Sequence, residues 1–299
     1  MTILITGATG RPGGATVREF ARRGTPVRAL VRDAARAQQL TALPGVELAV
    51  GDMLWPETLE RALDGVDTVL MISSAGPLML ETQATFIDAA VRAGVRHLIK
   101  LSGGDGQPGF DPERFRSTRS HQQIQRYLKA SGLPWTVLAP SQFMQVYLEE
   151  AATIAAAGEL RLPMGGTALA PIDVEDIGRI AYTVLTTPGH EGRTYPMTGP
   201  QSLTMAEIAD RIAAGIDRPV RYVDVEPSVK RDEWLAAGYP PPRADAFGQL
   251  FAERRRHGAA RVDLSSHRTF DVAPTTFAAF AAREAAAFRA EAKHARTPV

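Results

Sequence analysis

The chain of 299 residues has no cysteine. Disulfide staples, cysteine nucleophiles and thiolate metal sites are thereby excluded, and a reducing compartment is accommodated without being demanded. Apolar runs of membrane-spanning length are also missing, and no basic segment with an apolar stretch precedes the first strand-like run at residue 2. The expectation is a soluble, unprocessed, cytoplasmic chain with no membrane partner. Neither sign of charge prevails, since 34 Lys and Arg face 33 Asp and Glu; without a global basic field, no nucleic-acid partner is expected. His97, His190, His257, His267 and His294 are scattered, and no His-Glu-x-x-His spacing occurs, so no metal site is expected. The length allows a large core, arranged as one extended domain or as two lobes.

What is present begins at once. Thr2-Ile3-Leu4-Ile5-Thr6 is a β-branched run that breaks into Gly7-Ala8-Thr9-Gly10-Arg11-Pro12-Gly13-Gly14, followed by a helical pattern from Ala15 to Arg23. A strand, a glycine turn and a helix start in that order form a cradle for a dinucleotide pyrophosphate. Gly7 permits the sharp exit, Gly10 lets the backbone approach phosphate oxygens, and Gly13 allows close packing of helix on strand. The spacing is Gly-x-x-Gly-x-x-Gly, distinct from Gly-x-Gly-x-x-Gly. The alternative reading is an ordinary loop capping a helix.

Further along, short apolar runs at residues 27–31, 46–50, 68–72, 97–101 and 135–139 alternate with helical patterns near Arg18 and over 58–63, 82–93 and 122–130. Continuous apolar strands separated by helices imply a parallel sheet covered on both faces, hence an α/β, doubly wound Rossmann-type core. After Pro140 the rhythm loosens. Residues 147–157, 174–185 and 203–216 read as helices, 194–197 and 220–225 as strands. From Pro227 onward helices are broken by Tyr239-Pro240-Pro241-Pro242, and a last helix over 274–292 places Phe277, Phe280 and Phe288 near one face with Thr275 or Thr276 as cap. We therefore expect a nucleotide-binding domain over residues 1–150 and a smaller, mixed, mainly helical lobe over 151–299, some of whose segments return to the sheet.

The end of the second strand bears on coenzyme choice, because an NAD-selecting site places a carboxylate there and a 2′-phosphate calls for a cation. Val31 runs into Arg32, with Asp33 one position later. Arg32 favours NADP(H). Arg11 points the same way, since a cation in the first turn of a helix is misplaced unless an anion lies nearby. The alternative leaves both arginines solvated and gives the ribose to Asp33. Asp52 and Met53 follow the third strand on the side where the adenine would lie, Asp52 either accepting from the adenine amino group or capping the next helix. Ser73 and Ser74 end the fourth strand, at the sheet edge where ligands bind, and either touch the ribose or close a turn.

Taken together, Thr6 to Gly13, Val31-Arg32-Asp33, Gly51-Asp52 and Leu128-Lys129-Ala130-Ser131-Gly132-Leu133-Pro134-Trp135-Thr136-Val137-Leu138 resemble the NmrA-like, atypical short-chain dehydrogenase/reductase family. Leu203 to Ile208 and Arg218 to Tyr222 are similar to that family's late helix and strand. The resemblance implies an NADP(H)-binding fold, with members that reduce quinones or other small carbonyl and aromatic compounds and members that act as redox-sensing regulators. It also implies that Pro140, Gln142 and Phe143 belong to a segment passing over the nicotinamide. Two functions are carried forward: an NADPH-dependent reductase of a small aromatic, quinone-like or carbonyl substrate, and an NADP(H)-sensing protein that binds a partner through its C-terminal lobe. A homodimer is compatible with either.

The departure from the wider superfamily concerns Tyr-x-x-x-Lys, whose i, i+4 spacing puts both side chains on one helix face. Alignment of the helix before Leu128 puts Ser117 at the tyrosine position and His121 at the lysine position. Tyr127 lies six residues past His121, about 240° around the helix, and cannot substitute. His121 either holds the ribose hydroxyls, donates a proton with an ordinary pKa near ~6.5, or is a surface histidine. Ser102 stands where a family-like serine would polarise a carbonyl, or else is a turn serine before Gly103-Gly104. Met144, Tyr147, Trp234, Tyr239 and Phe247 line an apolar pocket between the lobes or simply form core. Arg254-Arg255-Arg256-His257 reads as a solvated basic face in preference to a phosphate, nucleic-acid or partner contact.

Overall fold

The alternating side chains of each strand feed two separate cores, which is what a sheet with helices on both faces requires. In β1 (Ile3–Ile5), Ile3 and Ile5 point to one face and Leu4 to the other, and the same division runs through β2 (Val27–Val31), β3 (Val46–Val50), β4 (Thr68–Met71), β5 (His97–Leu101) and β6 (Trp135–Pro140). The computed structural model describes residues 1–103, 111–257 and 260–290, with only the backbone at His257. Gly104, the His257 side chain, His294 and the last two residues of the expected terminal helix lie outside the described residues.

Between the strands come α1 (Arg11–Arg22), the short α2 (Gln38–Thr41) and α3 (Glu60–Leu63), α4 (Met79–Arg92) and α5 (Arg116–Ala130). The chain continues through a 3₁₀ segment, Met144–Glu150, into α6 (Ala151–Ala157), β7 (Glu159–Leu162), β8 (Ala168–Leu169), α7 (Val174–Thr186), β9 (Arg193–Met197), β10 (Leu203–Thr204), α8 (Met205–Ile216) and β11 (Arg221–Asp224). It closes with α9 (Pro227–Ala236), α10 (Pro241–His257), α11 (Ser265–Thr269), α12 (Phe277–Arg283) and α13 (Ala285–Arg289).

Seven strands form one parallel sheet in the order β3-β2-β1-β4-β5-β6-β9. The chain builds outward from β1 to β3, then returns to place β4 on the other side of β1. This reversal opens a crevice at the carboxyl ends of β1 and β4, the position at which doubly wound sheets bind ligands. Thr6 joins the two strands there: its Oγ1 donates to the Ile72 carbonyl at 2.6 Å and accepts from the Ile72 amide at 2.7 Å. On one face α1 packs on α7 where small residues meet; a Cβ on Gly178 would come within 3.0 Å of the Ala15 backbone. Helices α3, α4 and α5 cover the other face through Leu63, Phe86, Ile87, Ile124 and Leu128.

A second core lies beyond Pro140. Met144, Tyr147, Ile154, Leu160 and Leu169 pack with Met205, Ile208 and Ile212 of α8 and with Trp234, Phe251, Phe277, Phe280 and Phe288. Thr204 and Glu207 form a reciprocal capping box at the start of α8. Thr276, one of the two expected caps, accepts from the Ala279 amide at 3.2 Å, and the expected single terminal helix is broken at Glu284 into α12 and α13. Two short strand pairs join here, β7 with β11 and β8 with β10; β11 lies within the strand expected over 220–225, whereas β7, β8 and β10 were not evident from pattern, each having at most four residues and a partner far along the chain.

Candidate functional site

The glycine turn has a geometry that only glycine supports at two positions. Gly7 sits at φ +58°, and a Cβ at Gly13 would lie 2.2 Å from the Gly7 carbonyl oxygen, so α1 is pressed against the end of β1. The Gly10 amide donates to the Gly7 carbonyl at 2.9 Å, closing the turn. At the N-terminus of α1, Gly10 is the cap residue, no side chain caps the helix, Pro12 occupies the opening turn, and no acidic residue lies in that turn. The result is a set of backbone amide donors and positive dipole charge with no carboxylate of their own turn to answer them. Thr9 is exposed beside them.

Arg11 has a partner that pattern did not indicate. Its guanidinium pairs with Glu149 of the 3₁₀ segment, so the anion its position called for is supplied by the chain itself. Glu149 also accepts from the Tyr239 hydroxyl and, at 3.3 Å, from Arg243, linking the start of α1 to α10 and the turn before it. Arg32, by contrast, is exposed just after β2 and makes no ion pair among the described residues. Asp33 is occupied locally: it accepts from the Ala35 amide at 2.8 Å and lies 3.5 Å from Arg36. Asp52 likewise accepts from the Leu54 amide at 3.0 Å, a turn-closing bond, and Met53 is buried beside it.

Ser73 and Ser74 follow β4. Ser73 Oγ accepts from Gln83 Nε2 at 2.8 Å, while Ser74 is exposed. Pro140 ends β6, and the next residues are pinned by backbone bonds: Ser141 N to the Met197 carbonyl, Ile172 N to the Gln142 carbonyl and Met144 N to the Ile172 carbonyl, each at 2.8 Å. Phe143 is thereby bridged to Ile172. The side-chain amide of Gln142 is a different matter. Both its oxygen and its nitrogen are buried with no hydrogen-bond partner among the described residues. A rigidly held loop that carries an unanswered donor and acceptor pair suits a ligand that presents the complementary pair.

On the next strand edge, Ser102 is buried and its Oγ accepts from Gln125 Nε2 at 3.1 Å. His121 of α5 is 8 % exposed, and its Nδ1 lies 2.8 Å from the ammonium of Lys100 on β5. An ammonium can only donate, so Nδ1 accepts and the imidazole proton resides on Nε2. Burial first, and the Lys100 charge second, hold the His121 pKa well below the usual imidazole range. His121 is thus a neutral donor rather than an imidazolium, in contrast to a histidine titrating near its ordinary value. Its Nε2 faces Gly103, where a Cβ would approach to 3.2 Å. Lys100 itself escaped pattern analysis; the available signal was a lysine inside the fully buried strand His97-Leu98-Ile99-Lys100-Leu101. Ser117 is half-buried one turn before His121, and Tyr127 is 40 % exposed with its hydroxyl donating to Asp88 at 2.7 Å, well away from both.

The five residues considered for an apolar pocket are core. Met144, Tyr147 and Trp234 are buried, and Tyr239 and Phe247 pack against them. The basic run also divides. Arg255 and Arg256 are exposed and paired with Asp224 and Glu253, as a solvated face requires, but Arg254 is buried, which corrects that reading for this residue. No group of three or more His, Cys, Asp or Glu side chains able to hold a metal occurs among the described residues, nor does any helix there have the length and apolarity to cross a membrane.

Set beside known proteins, residues 1–281 match the NmrA-like family. An NAD(P)H azoreductase of Xenophilus azovorans is 38% identical over 288 residues, covering 96% of this chain and 99% of its own. A (4-alkanoyl-5-oxo-2,5-dihydrofuran-3-yl)methyl phosphate reductase of Streptomyces griseus is 38% identical over 258 residues, 86% of this chain and 88% of its own. The structure of a Citrobacter triphenylmethane reductase complexed with NADP(H) superposes at a TM-score of 0.83 over 95% of this chain and 100% of its own, at 23% identity, which bears on the fold.

Proposed function

Because the chain belongs to the NmrA-like family, we propose that it is an NADPH-dependent reductase of small aromatic acceptors, quinones and azo compounds foremost. The coarser statement, an NAD(P)H oxidoreductase, rests on two relatives at 38% identity that are both named as reductases. The observation that carries the nucleotide part of the reading is the turn at Gly7 and Gly13, closed to 2.2 Å for any added Cβ and opening onto uncapped amides; the acceptor class is drawn from the relatives.

In this reading the α1 amides hold the pyrophosphate and Arg32 meets the 2′-phosphate. Asp33 is engaged by local bonds to the Ala35 amide and Arg36, which favours Arg32 as the residue turned toward the coenzyme. Gln142 answers a carboxamide or hydroxyl of the nicotinamide end with both of its side-chain polar atoms. Bound NADPH supplies the hydride. The chain's part is then to position an acceptor and to offer a hydrogen bond where negative charge develops. Neutral His121 holds a proton on Nε2 at the carboxyl edge of β5, and Lys100 keeps it there by occupying Nδ1.

None of the six tyrosines is followed four residues later by lysine. A quinone tolerates this, because the charge that hydride transfer creates is delocalised over the ring and a weak donor or water completes protonation to the hydroquinone. NADPH oxidation measured against a panel of quinones, azo dyes and simple ketones tests the proposal. Turnover is expected with the first two classes and little with ketones. Tight NADPH binding without turnover of any acceptor would overturn it in favour of a sensing role.

A further inference from the structure

A buried guanidinium normally has a carboxylate. Arg254 has none among the described residues: it is 7 % exposed, its Nε and Nη1 are sealed from solvent without a hydrogen-bond partner there, and it forms no ion pair with them. Its neighbours are aromatic, with the Phe251 ring centroid 5.8 Å from its carbon centre and the Tyr147 phenol close enough to feel its charge. Burial pulls its pKa down to about 10, so the group remains cationic at neutral pH with its charge uncompensated. Burying two donors of a charged group unpaired is among the costlier arrangements a protein adopts. Tyr147 contributes no countercharge, because burial raises its own pKa far above neutrality.

The position of Arg254 gives that charge a direction. The adjacent residue, Glu253, accepts from the Asp111 amide just before α5, and Ala246 and Gln249 of the same helix line a small recess with Ser117 and Ser120 of α5. Helix α10 therefore closes over the N-terminal end of the helix that carries His121. Arg254 also interacts electrostatically with Tyr147, three residues past the Gln142, Phe143 and Met144 segment. Arg254 thus belongs to a helix that borders the His121 helix, and its charge is felt at Tyr147 on the 3₁₀ segment that follows Gln142 and Phe143.

We propose that Arg254 receives an oxyanion substituent of the acceptor, a sulfonate, carboxylate or phosphate ester, and so makes the enzyme selective for anionic aromatic substrates over their uncharged parents. This rests on the reductase reading above and refines it. A planar guanidinium meets an oxyanion with two parallel bonds along its Nε/Nη2 or Nη1/Nη2 edge, which a lysine does not reproduce. Arg254 is a specificity-determining residue here and takes no part in hydride or proton transfer.

The test compares kcat/KM for naphthoquinone and for naphthoquinone sulfonate in the wild type, in Arg254→Met and in Arg254→Lys, with NADPH affinity measured alongside. The ratio of sulfonate to parent is expected to fall by about tenfold or more in Arg254→Met, as the loss of a charge-assisted pair implies, and by less in Arg254→Lys. Removing an unpaired buried charge is also expected to raise the melting temperature of the ligand-free Arg254→Met variant, which a structural role would lower. An unchanged ratio, or a loss of NADPH affinity in its place, overturns the proposal. Should neither variant fold, the wild type with NADP⁺ suffices: benzenesulfonate should stabilise it saturably and benzenesulfonamide should not, and equal shifts overturn the proposal. Failure of the reductase reading is recognised separately, since the wild type would then reduce neither quinone.

Discussion

Substituting Gly13 with alanine tests the nucleotide cradle with a single methyl group. The new Cβ would lie 2.2 Å from the Gly7 carbonyl oxygen and 2.7 Å from its carbonyl carbon, both backbone atoms with no rotamer by which to move aside. Relief to even 3.0 Å requires α1 to withdraw from the turn by about 0.8 Å, the difference between the two distances. An N–H···O bond of ~2.9 Å stretched by that amount passes beyond useful range. Loss of two charge-assisted bonds to the pyrophosphate, at roughly 1.5–3 kcal/mol each, corresponds to about a hundredfold or greater rise in the NADPH Kd. Calorimetric titration reads this directly. Overpacking should also lower stability by about 1–3 kcal/mol in urea denaturation. Gly248→Ala, on α10 with nothing within 4 Å of the added Cβ, supplies a control for the general effect of replacing a helical glycine. A Gly13→Ala variant that binds NADPH within about threefold of wild type would refute the argument, because the ~0.8 Å displacement would then have cost no hydrogen bond.

Other consequences are measurable in the same preparation. Arg32→Ala should raise the NADPH Kd by about 10- to 100-fold, the worth of one charge-assisted phosphate contact, and leave the NADH Kd unchanged; equal losses for both coenzymes would exclude 2′-phosphate recognition. Glu149→Gln, which frees the Arg11 guanidinium, should tighten NADPH binding by up to about fivefold, the value of a partly exposed charge pair, in a salt-sensitive manner. Lys230 and Glu150 form a buried pair at 2.7 Å, so Lys230→Met alone should cost about 3–5 kcal/mol in urea unfolding, while the double change with Glu150→Leu should recover most of it. His121 binds its proton less readily in the folded than in the unfolded chain. The unfolded state therefore takes up more protons below about pH 6.5, and stability should fall as the pH is lowered from there; His121→Asn should flatten that slope. For the same reason kcat should show no inflection near pH 6.5 that depends on His121.

Much of the nucleotide half could be read from pattern because its determinants are local. A β-branched run, a glycine turn and a helix within twenty-odd residues specify β1, the crevice and the α1 amides, and the later strands begin where their apolar runs begin. What escaped was what depends on residues distant in sequence. Lys100 needed His121, 21 positions away, to become intelligible as a buried donor. Arg11 needed Glu149, 138 positions away, to reveal that its charge is already answered. Of the late strands, β7, β8 and β10 are too short to carry a period, and the single terminal helix inferred from three phenylalanines turned out to be two that bring Phe280 against Phe288 edge-on.

Two arginines have surroundings that pattern did not show, and each has a physical basis. A basic residue at a helix N-terminus looks unsatisfied locally, yet a carboxylate distant in sequence reaches it from the 3₁₀ segment, as Glu149 does. A run of three arginines looks uniformly solvated, yet on a helix adjacent residues are about 100° apart, so such a run spreads over about 200°, more than half of the circumference. When the helix has one face on the core through Phe247 and Phe251, a member of the run is forced inward. Arg254 follows Phe251 by three positions and is that member. The fold thus cannot place all three cations in water, and the one it buries is left without a carboxylate among the described residues, beside the helix that carries His121. A sequence free to choose would put leucine or methionine at that position and gain stability. Retaining arginine there is intelligible if an anion from outside the chain completes the site, which ties the unpaired charge to the acceptor and makes the Arg254→Met comparison decisive for both stability and selectivity.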